Sequence, residues 1–342
     1  MEEGKRPTLR AVADLAGTTV PTVSKVLHGR TDVSAVMRRA VLDAVDQVGY
    51  RRSPGMQVSA DRSTPNLVDM VMASFEGTWA NRALAGVESA ANDAGISVVI
   101  TIANGDDEWV SRLMRRHSTG AIIVGVGPSE AQLAGLRAAK IPVVLVDPLV
   151  RPPDDVASVG STDWAGGHSA GTHLLELGHR RIGVIDGGTN SLFNAARLDG
   201  FRSALQSAGL STRPEWCAPG YWNRTRACAA ASVVLQQPER PTAMFALTES
   251  MAFGVYDAAA QLGIRIPDDL SVVAYDDLPE AQWANPAMTT VQQPTAEMGA
   301  IAVQLLLKLV DPARQVPQEG PATRVELATR LVARASTAPP PT

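Results

Sequence analysis

The sequence is poor in the residues that cross-link a small fold or carry it through a membrane. Two cysteines, Cys217 and Cys228, in 342 residues leave no room for a disulfide framework, and their spacing is not that of a metal site. They read as reduced, structural thiols. No apolar run approaches the roughly eighteen residues of a bilayer span, and the opening MEEGKRPTLR lacks the apolar core of a secretory signal. A cytoplasmic protein with no membrane contact is therefore expected. Two enzyme patterns are missing as well: no G-x-G-x-x-G follows the first apolar strand, and no G-x-x-x-x-G-K-[ST] occurs. Asp and His residues show no spacing that demands acid–base work, so no catalysis, cofactor or metal is expected.

An excess of positive charge is also absent, until the chain is divided. The formal net charge is −4, yet residues 1–52 carry nine Lys/Arg against six Asp/Glu, and the remainder 22 against 29. A small basic unit joined to a larger acidic one suits a nucleic-acid reader attached to a domain with other business. With 45% hydrophobic and 19% charged residues the whole reads as globular, and its length calls for two or three domains.

Three short helices are legible at the start. Thr8 makes an N-cap for a helix in which Leu9, Val12, Ala13 and Ala16 share a stripe, and Gly17 ends it. Thr18-Thr19 cap a second helix over Val20–Leu27, with Pro21 in the first turn, where no amide donor is needed. Ser34 caps a third helix running to about Val48. Two helices across a Gly-containing turn with a third closing the core is the helix-turn-helix arrangement. Its second helix enters the major groove N-terminus first, which would aim Thr19, Val20, Pro21 and Thr22 at base edges, with Lys25 one turn on. The pattern alone fits a structural trihelical cap equally well.

The stretch TLRAVADLAGTTVPTVSKVLHGRTDVSAVMRRAVLDAVDQVGY resembles the headpiece of the LacI/GalR family of bacterial repressors, above all in A-G-x-x-x-x-T-V-S-[RK]-V-L and the closing G-Y. The resemblance implies a DNA-binding domain over 1–52 that grips double-stranded operator DNA. Val20 and Pro21 would hold the two main base-reading positions, with Thr8, Thr19, Thr22, Ser24, Lys25, His28, Arg51 and Arg52 among groove and phosphate contacts. Family members continue into a hinge helix that wedges a leucine into the minor groove. Residues 53–65 depart from this, since Pro54-Gly55 opposes helix and Ser59 stands at the leucine position. Met56 or Val58 as wedge, and a flexible linker whose arginines touch phosphates, both remain open.

From Leu67 the chain alternates apolar strands with helices. Leu67–Ser74, Ser97–Ala103, Gly120–Gly125, Pro142–Asp147, Arg181–Gly187, Thr242–Leu247 and Ser271–Asp277 read as parallel strands covered by helices on both faces. A break in rhythm near Ser158–Asp163 divides them into two doubly wound sheets, and ligands of such sheets bind at the carboxyl ends of the strands. Leu177–Gly183, Ala196–Phe201, Ile266–Asp277 and Thr289–Pro294 resemble signatures of the same family, whose effector domain is similar to periplasmic sugar-binding proteins. The resemblance implies subdomains of 66–160 plus 291–320 and 161–290 plus 321–334, with chain crossings near Val291 and Gly320. It also makes Asp147, Arg197, Trp222 and Asp276 ligand residues, and puts Thr248-Glu249 where the family often has Asn-Asp.

Phe75, Glu76 and Trp79 follow the first strand, at a pocket lip, where an indole beside a carboxylate suits a pyranose. In a domain without ligand, the same aromatics would be packing, the aspartates loop caps, and Arg197 a structural ion pair. His168, His173 and His179 are expected on helix surfaces or caps. The resulting expectation is a homodimeric repressor whose operator affinity follows a small-molecule effector, a sugar or alternatively a nucleoside. A sugar-binding protein without a DNA role is the remaining rival. The C-terminus has no leucine heptads to build a tetramer, and residues 335–342, rich in proline, are expected to be a disordered tail.

Overall fold

The computed structural model describes residues 8–27, 30, 33–48, 67–103, 108–116, 118–188, 191–310 and 321–341. The chain divides into two units, Met1–Ser63 and Thr64–Thr342. Most of the connector, residues 49–66, lies outside the described residues, and with it the hinge positions Met56, Val58 and Ser59.

The first unit contains α1 (Leu9–Leu15), α2 (Val20–Leu27) and α3 (Ala35–Val48). Each starts where a side-chain oxygen takes an otherwise orphaned amide. Thr8 Oγ1 accepts from Ala11 N at 3.2 Å, Thr19 Oγ1 from Thr22 N at 3.4 Å and Ser34 Oγ from Met37 N at 3.3 Å. Val12, Ala13, Val23, Val26, Val41 and Ala44 form its buried core. The core uses the inward stripes of all three helices, which leaves the N-terminus of α2 free to face outward.

In the second unit, the first lobe is built from β1 (Leu67–Met72), α4 (Thr78–Asp93), β2 (Ser97–Ile102), α5 (Glu108–Arg116), β3 (Gly120–Val124), α6 (Glu130–Ala138), β4 (Val143–Val146) and β5 (Ala157–Ser161). The chain then enters the second lobe: α7 (Asp163–Glu176), β6 (Ile182–Asp186), α8 (Leu192–Ser207), β7 (Cys217–Pro219), α9 (Arg224–Leu235), β8 (Ala243–Ala246), α10 (Glu249–Gln261), β9 (Ser271–Asp276), α11 (Pro279–Trp283) and β10 (Thr289–Gln292). It returns through α12 (Thr295–Val310) and β11 (Arg324–Leu327), then crosses again into β12 (Arg330–Val332). The sheets run β11-β5-β4-β3-β1-β2 and β12-β10-β9-β8-β6-β7. Every pairing is parallel except β10 with β12. All seven expected strands form, and the break in rhythm is the passage from β5 to α7.

Three expectations are corrected. The last crossing falls at Ala328-Thr329 and not near Gly320, because β11 still pairs with β5 in the first sheet. Thr329 seals it: its N donates to Thr162 Oγ1 at 2.9 Å and its hydroxyl to Thr162 O at 3.1 Å, which ties the first and last crossings together. The tail is not disordered over Ala335–Pro341. Ser336 is fully buried, accepting from Thr289 N at 2.8 Å and donating to Val272 O at 2.6 Å. The Ala338 carbonyl meets His179 Nε2 at 2.9 Å. Proline content signals an end without helix or sheet; it does not preclude an extended segment held by donors of the lobe beside it. His179 likewise is no surface residue. It is fully buried and satisfied by Thr242 at 2.9 Å and Ser271 at 3.1 Å, whereas His168 and His173 sit half-buried on α7.

Candidate functional site

A cleft of about 1020 Å³ opens between the two lobes, at the carboxyl ends of their strands. Glu76 and Trp79 reach it from the turn after β1 and the start of α4, and Asp147 from the residue after β4. Asp276 ends β9, Thr248 precedes α10, and Trp222 lies between β7 and α9; all line the cleft. Phe75 does not: it packs against the apolar core of the first lobe. Its neighbours explain the miss, since in the bend after β1 a large apolar side chain gains more by turning inward than by lining a wet lip.

Arg197 organises the deepest part. It sits on α8, which approaches α7 closely: a Cβ on Gly167 would lie 2.0 Å from the Arg197 carbonyl oxygen, and one on Gly200 1.9 Å from that of Trp164. That approach brings Arg197 Nε to 2.8 Å from Asp163 Oδ1. Nη1 donates to the Leu247 carbonyl at 2.7 Å and lies 3.7 Å from Asp276 Oδ1. The guanidinium carbon stands 3.7 Å from the centroid of the Tyr275 ring and 5.3 Å from that of Phe193. Burial disfavours its charge, yet Asp163, Tyr275, Asp276 and Asp147 hold its pKa above the ordinary arginine value. The result is a fixed cationic fork.

The carboxylates around it titrate high. Burial, with the charge of Asp163, pushes the Asp147 carboxyl up to about 7 against the pull of Arg197. Asp276 is pushed up to about 7 by burial, against Arg197, with Asp147 and Asp163 adding to the rise. Both adopt left-handed backbone, Asp147 at φ 50° and Asp276 at φ 114°, as does Trp222 at φ 57°. Three of the ligand residues carried by the resemblance thus sit in conformations that cost free energy and persist where the surroundings over-determine them. Trp222 is locked further by Gly187, where a Cβ would come within 1.8 Å of the indole, and by Phe193, ring centroids 5.1 Å apart.

The lobes are also tied across the cleft. Trp79 Nε1 donates to Gln293 Oε1 at 3.0 Å, Arg82 Nη1 to the Asp277 carbonyl at 2.9 Å and Leu192 N to the Leu149 carbonyl at 2.9 Å. The Thr78 hydroxyl donates to Glu280.

Sequence reasoning missed Phe193, Arg224, Phe253, Glu249 and Glu280, which line the cleft too. Helical spacing held the signal for two of them: Phe193 precedes Arg197 by four residues on α8, and Phe253 follows Glu249 by four on α10. Glu249 accepts from Leu278 N at 2.9 Å and Thr290 Oγ1 at 3.0 Å, and burial with nearby Asp276 pushes its carboxyl up to about 9. Thr248 spends its oxygen capping α10, accepting from Met251 N at 3.3 Å.

In the first unit, Thr19, Val20, Pro21 and Lys25 are exposed along the start of α2, with Thr22 and Ser24 half-buried beside them. Thr22 Oγ1 lies 3.0 Å from Thr19 Oγ1. Thr8 is committed to its capping bond but keeps an exposed side. His28, Arg51 and Arg52 lie outside the described residues. Cys217 and Cys228 are both free thiols. Among the described residues, no cluster of His, Cys, Asp and Glu forms a metal site, and no helix is long and apolar enough to cross a membrane.

Residues 8–53 match the family model for bacterial regulatory proteins of the lacI family, and residues 172–337 match the periplasmic binding protein-like domain. The chain is 30% identical over 342 residues to the HTH-type transcriptional repressor PurR of Escherichia coli O139:H28, covering 98% of both. Its fold is similar to that of the transcriptional regulator CelR–cellobiose complex, at 29% identity and TM-score 0.73, covering 97% of this chain and 100% of that one. It is also similar to the lac repressor dimer bound to operator and the anti-inducer ONPF, at 26% identity and TM-score 0.74, covering 98% and 100%. A helix-turn-helix joined to a two-lobed binding domain defines a DNA-binding transcription regulator under small-molecule control, and not an enzyme. The chain belongs to the LacI family of bacterial regulatory proteins.

Proposed function

We propose that this chain is a cytoplasmic, homodimeric repressor whose operator affinity is set by a sugar held in the interlobe cleft. One observation carries the sugar reading: the buried Arg197 fork, flanked by Asp147 and Asp276, faces the same cleft as Trp222 and Phe193. Fixed donors and acceptors beside aromatic faces are how a polyhydroxylated ring is bound, hydroxyls bonded and one face stacked. A cleft of about 1020 Å³ holds a mono- or disaccharide. Cellobiose in the complex of the CelR regulator supports the same class of ligand. A nucleoside would stack on the same aromatics, so it enters the test as the competing class.

Two copies would set their α2 helices on half-sites of a near-palindrome, with Val20 and Pro21 against base edges and Lys25 on a guanine or phosphate. Ligand contacts to both lobes would change their relative pose. Operator and ligand must then change each other's affinity by the same factor. The test is fluorescence anisotropy on a labelled operator taken from the protein's own promoter, with mono- and disaccharides and nucleosides added at saturation. The expected result is a shift in operator affinity with a sugar. Unchanged affinity with every sugar, or a shift with nucleosides alone, would overturn the proposal.

A further inference from the structure

The cleft is more acidic than a neutral sugar requires. Among the described residues, five carboxylates line it, those of Glu76, Asp147, Glu249, Asp276 and Glu280, against two guanidiniums, Arg197 and Arg224. Both cations are engaged with carboxylates beyond the lining. Arg197 Nε holds Asp163 at 2.8 Å, and Arg224 forks onto Asp257 at 2.7 and 2.8 Å. Glu280 Oε2 is buried without a hydrogen-bond partner while its other oxygen accepts from Thr78. An unmatched acceptor in a pocket with surplus negative charge is costly unless a donor arrives with the ligand.

We infer that the effector carries a protonated amine: it is an amino sugar, not a neutral, acidic or phosphorylated one. This rests on the sugar reading above and narrows it. An ammonium in the cleft brings donors for carboxylate oxygens and offsets the excess of negative charge, and such a pairing counts for more beside the buried Asp147, Glu249 and Asp276 than in solvent. Trp79, Trp222, Phe193 and Phe253 on the same walls present ring faces that also attract a cation. A phosphate or uronate would meet like charge on most sides. The seat of the amine is assigned to the Glu280 end of the cleft, where Oε2 has no partner. Thr78, two residues beyond Glu76, bonds Glu280, and the Glu249 carboxyl binds the amide of Leu278, two residues before Glu280. Burial above all, with neighbouring carboxylates adding to it, raises the carboxyls of Asp147 and Asp276 to about 7 and of Glu249 to about 9, and a cation facing them would favour their charged forms.

Isothermal titration of the full-length protein with matched sugar series tests this. The series are glucose, glucosamine and glucuronate; galactose, galactosamine and galacturonate; and cellobiose with the corresponding glucosamine dimer. An amine member should bind at least about tenfold tighter than its neutral parent, with the acid weakest. A neutral or acidic member binding equally or more tightly overturns the inference and leaves the sugar reading standing. Failure of every member to bind removes the sugar reading itself, and this inference with it. Glu280→Gln keeps the shape and the acceptor for Thr78 but removes one charge. It should weaken the amine several-fold more than the neutral parent; an equal loss for both, or none for either, overturns the assignment.

Discussion

Arg197 and Trp222 show how far a single residue's role depends on what holds it. Arg197 alone is a long cation; pinned by Asp163, the Leu247 carbonyl and the Tyr275 face, it becomes a fork that cannot follow the ligand and must be met by it. Trp222 is aimed by its own left-handed backbone and by the missing Cβ of Gly187. Trp222→Ala should therefore weaken the effector roughly tenfold or more, since it removes a preorganised stacking face. Calorimetric titration checks this, and a melting temperature within a few degrees of the parent's would show that the loss is local. In the other unit Lys25 is exposed on α2. Lys25→Ala should cost about 1–3 kcal/mol of operator affinity if it reads a guanine edge. Operator titrations over single-base variants would show the change; retained affinity and unchanged base preference would refute a reading role.

At the scale of elements, the last residues matter more than their composition suggests. The segment Ala335–Pro341 supplies partners to Val272 N, Thr289 N, Ser271 Oγ and His179 of the second lobe. Removing it strands those groups at a lobe edge, and unsatisfied buried groups cost about 1–3 kcal/mol each. Deleting residues 335–342 should lower the melting temperature by at least about 5 °C, and Ser336→Ala should reproduce part of the loss. Differential scanning calorimetry decides; an unchanged transition would mean the segment lies on the lobe without stabilising it. The crossings tell a related story. Thr162 and Thr329 bond each other from two different crossings, so two of the three crossings are tied into one connection.

For the whole molecule, charge in the cleft should be visible in stability. Asp147, Asp276 and Glu249 have folded pKa values of about 7, 7 and 9, above those of an unfolded chain, so the folded protein keeps protons that the unfolded chain has released. Their contribution is fully present below the ordinary carboxylate range and is lost as pH rises through those values. The melting temperature of the ligand-free protein should therefore fall as pH rises from the ordinary carboxylate range, with Asp147 and Asp276 contributing up to about pH 7 and Glu249 up to about pH 9, and Glu249→Gln should flatten the slope between about pH 7 and pH 9. His173 and His179, lowered by burial, work in the opposite sense below their ordinary pKa, which sets a limit to the gain on acidification. A melting temperature flat or rising over the alkaline interval would contradict the buried carboxyls.

Much of this was legible because local chemistry decides it. Caps at Thr8, Thr19 and Ser34 and the apolar stripes between them make the three helices of the headpiece in any surroundings that bury Val12, Val23 and Val41. Apolar strand runs announce parallel sheets for the same reason, and the family's motifs placed Arg197, Asp147, Trp222 and Asp276 in advance. What remained hidden depends on contacts between distant residues. Nothing local distinguishes a proline-rich end from a segment that bonds the starts of β9 and β10, and β11, with its alternating half-exposed residues, gains its place only by pairing with β5. The charge of the cleft was hidden in the same way. Glu76 and Glu280 lie 204 positions apart in the chain, and only the apposition of the two lobes sets them around one cleft. The sequence by itself determined the reader, the sheets and several residues deep in the cleft; only the tertiary structure decided the tail, the crossings and the electrostatics of the cleft, because each is a sum over residues that sequence order keeps apart.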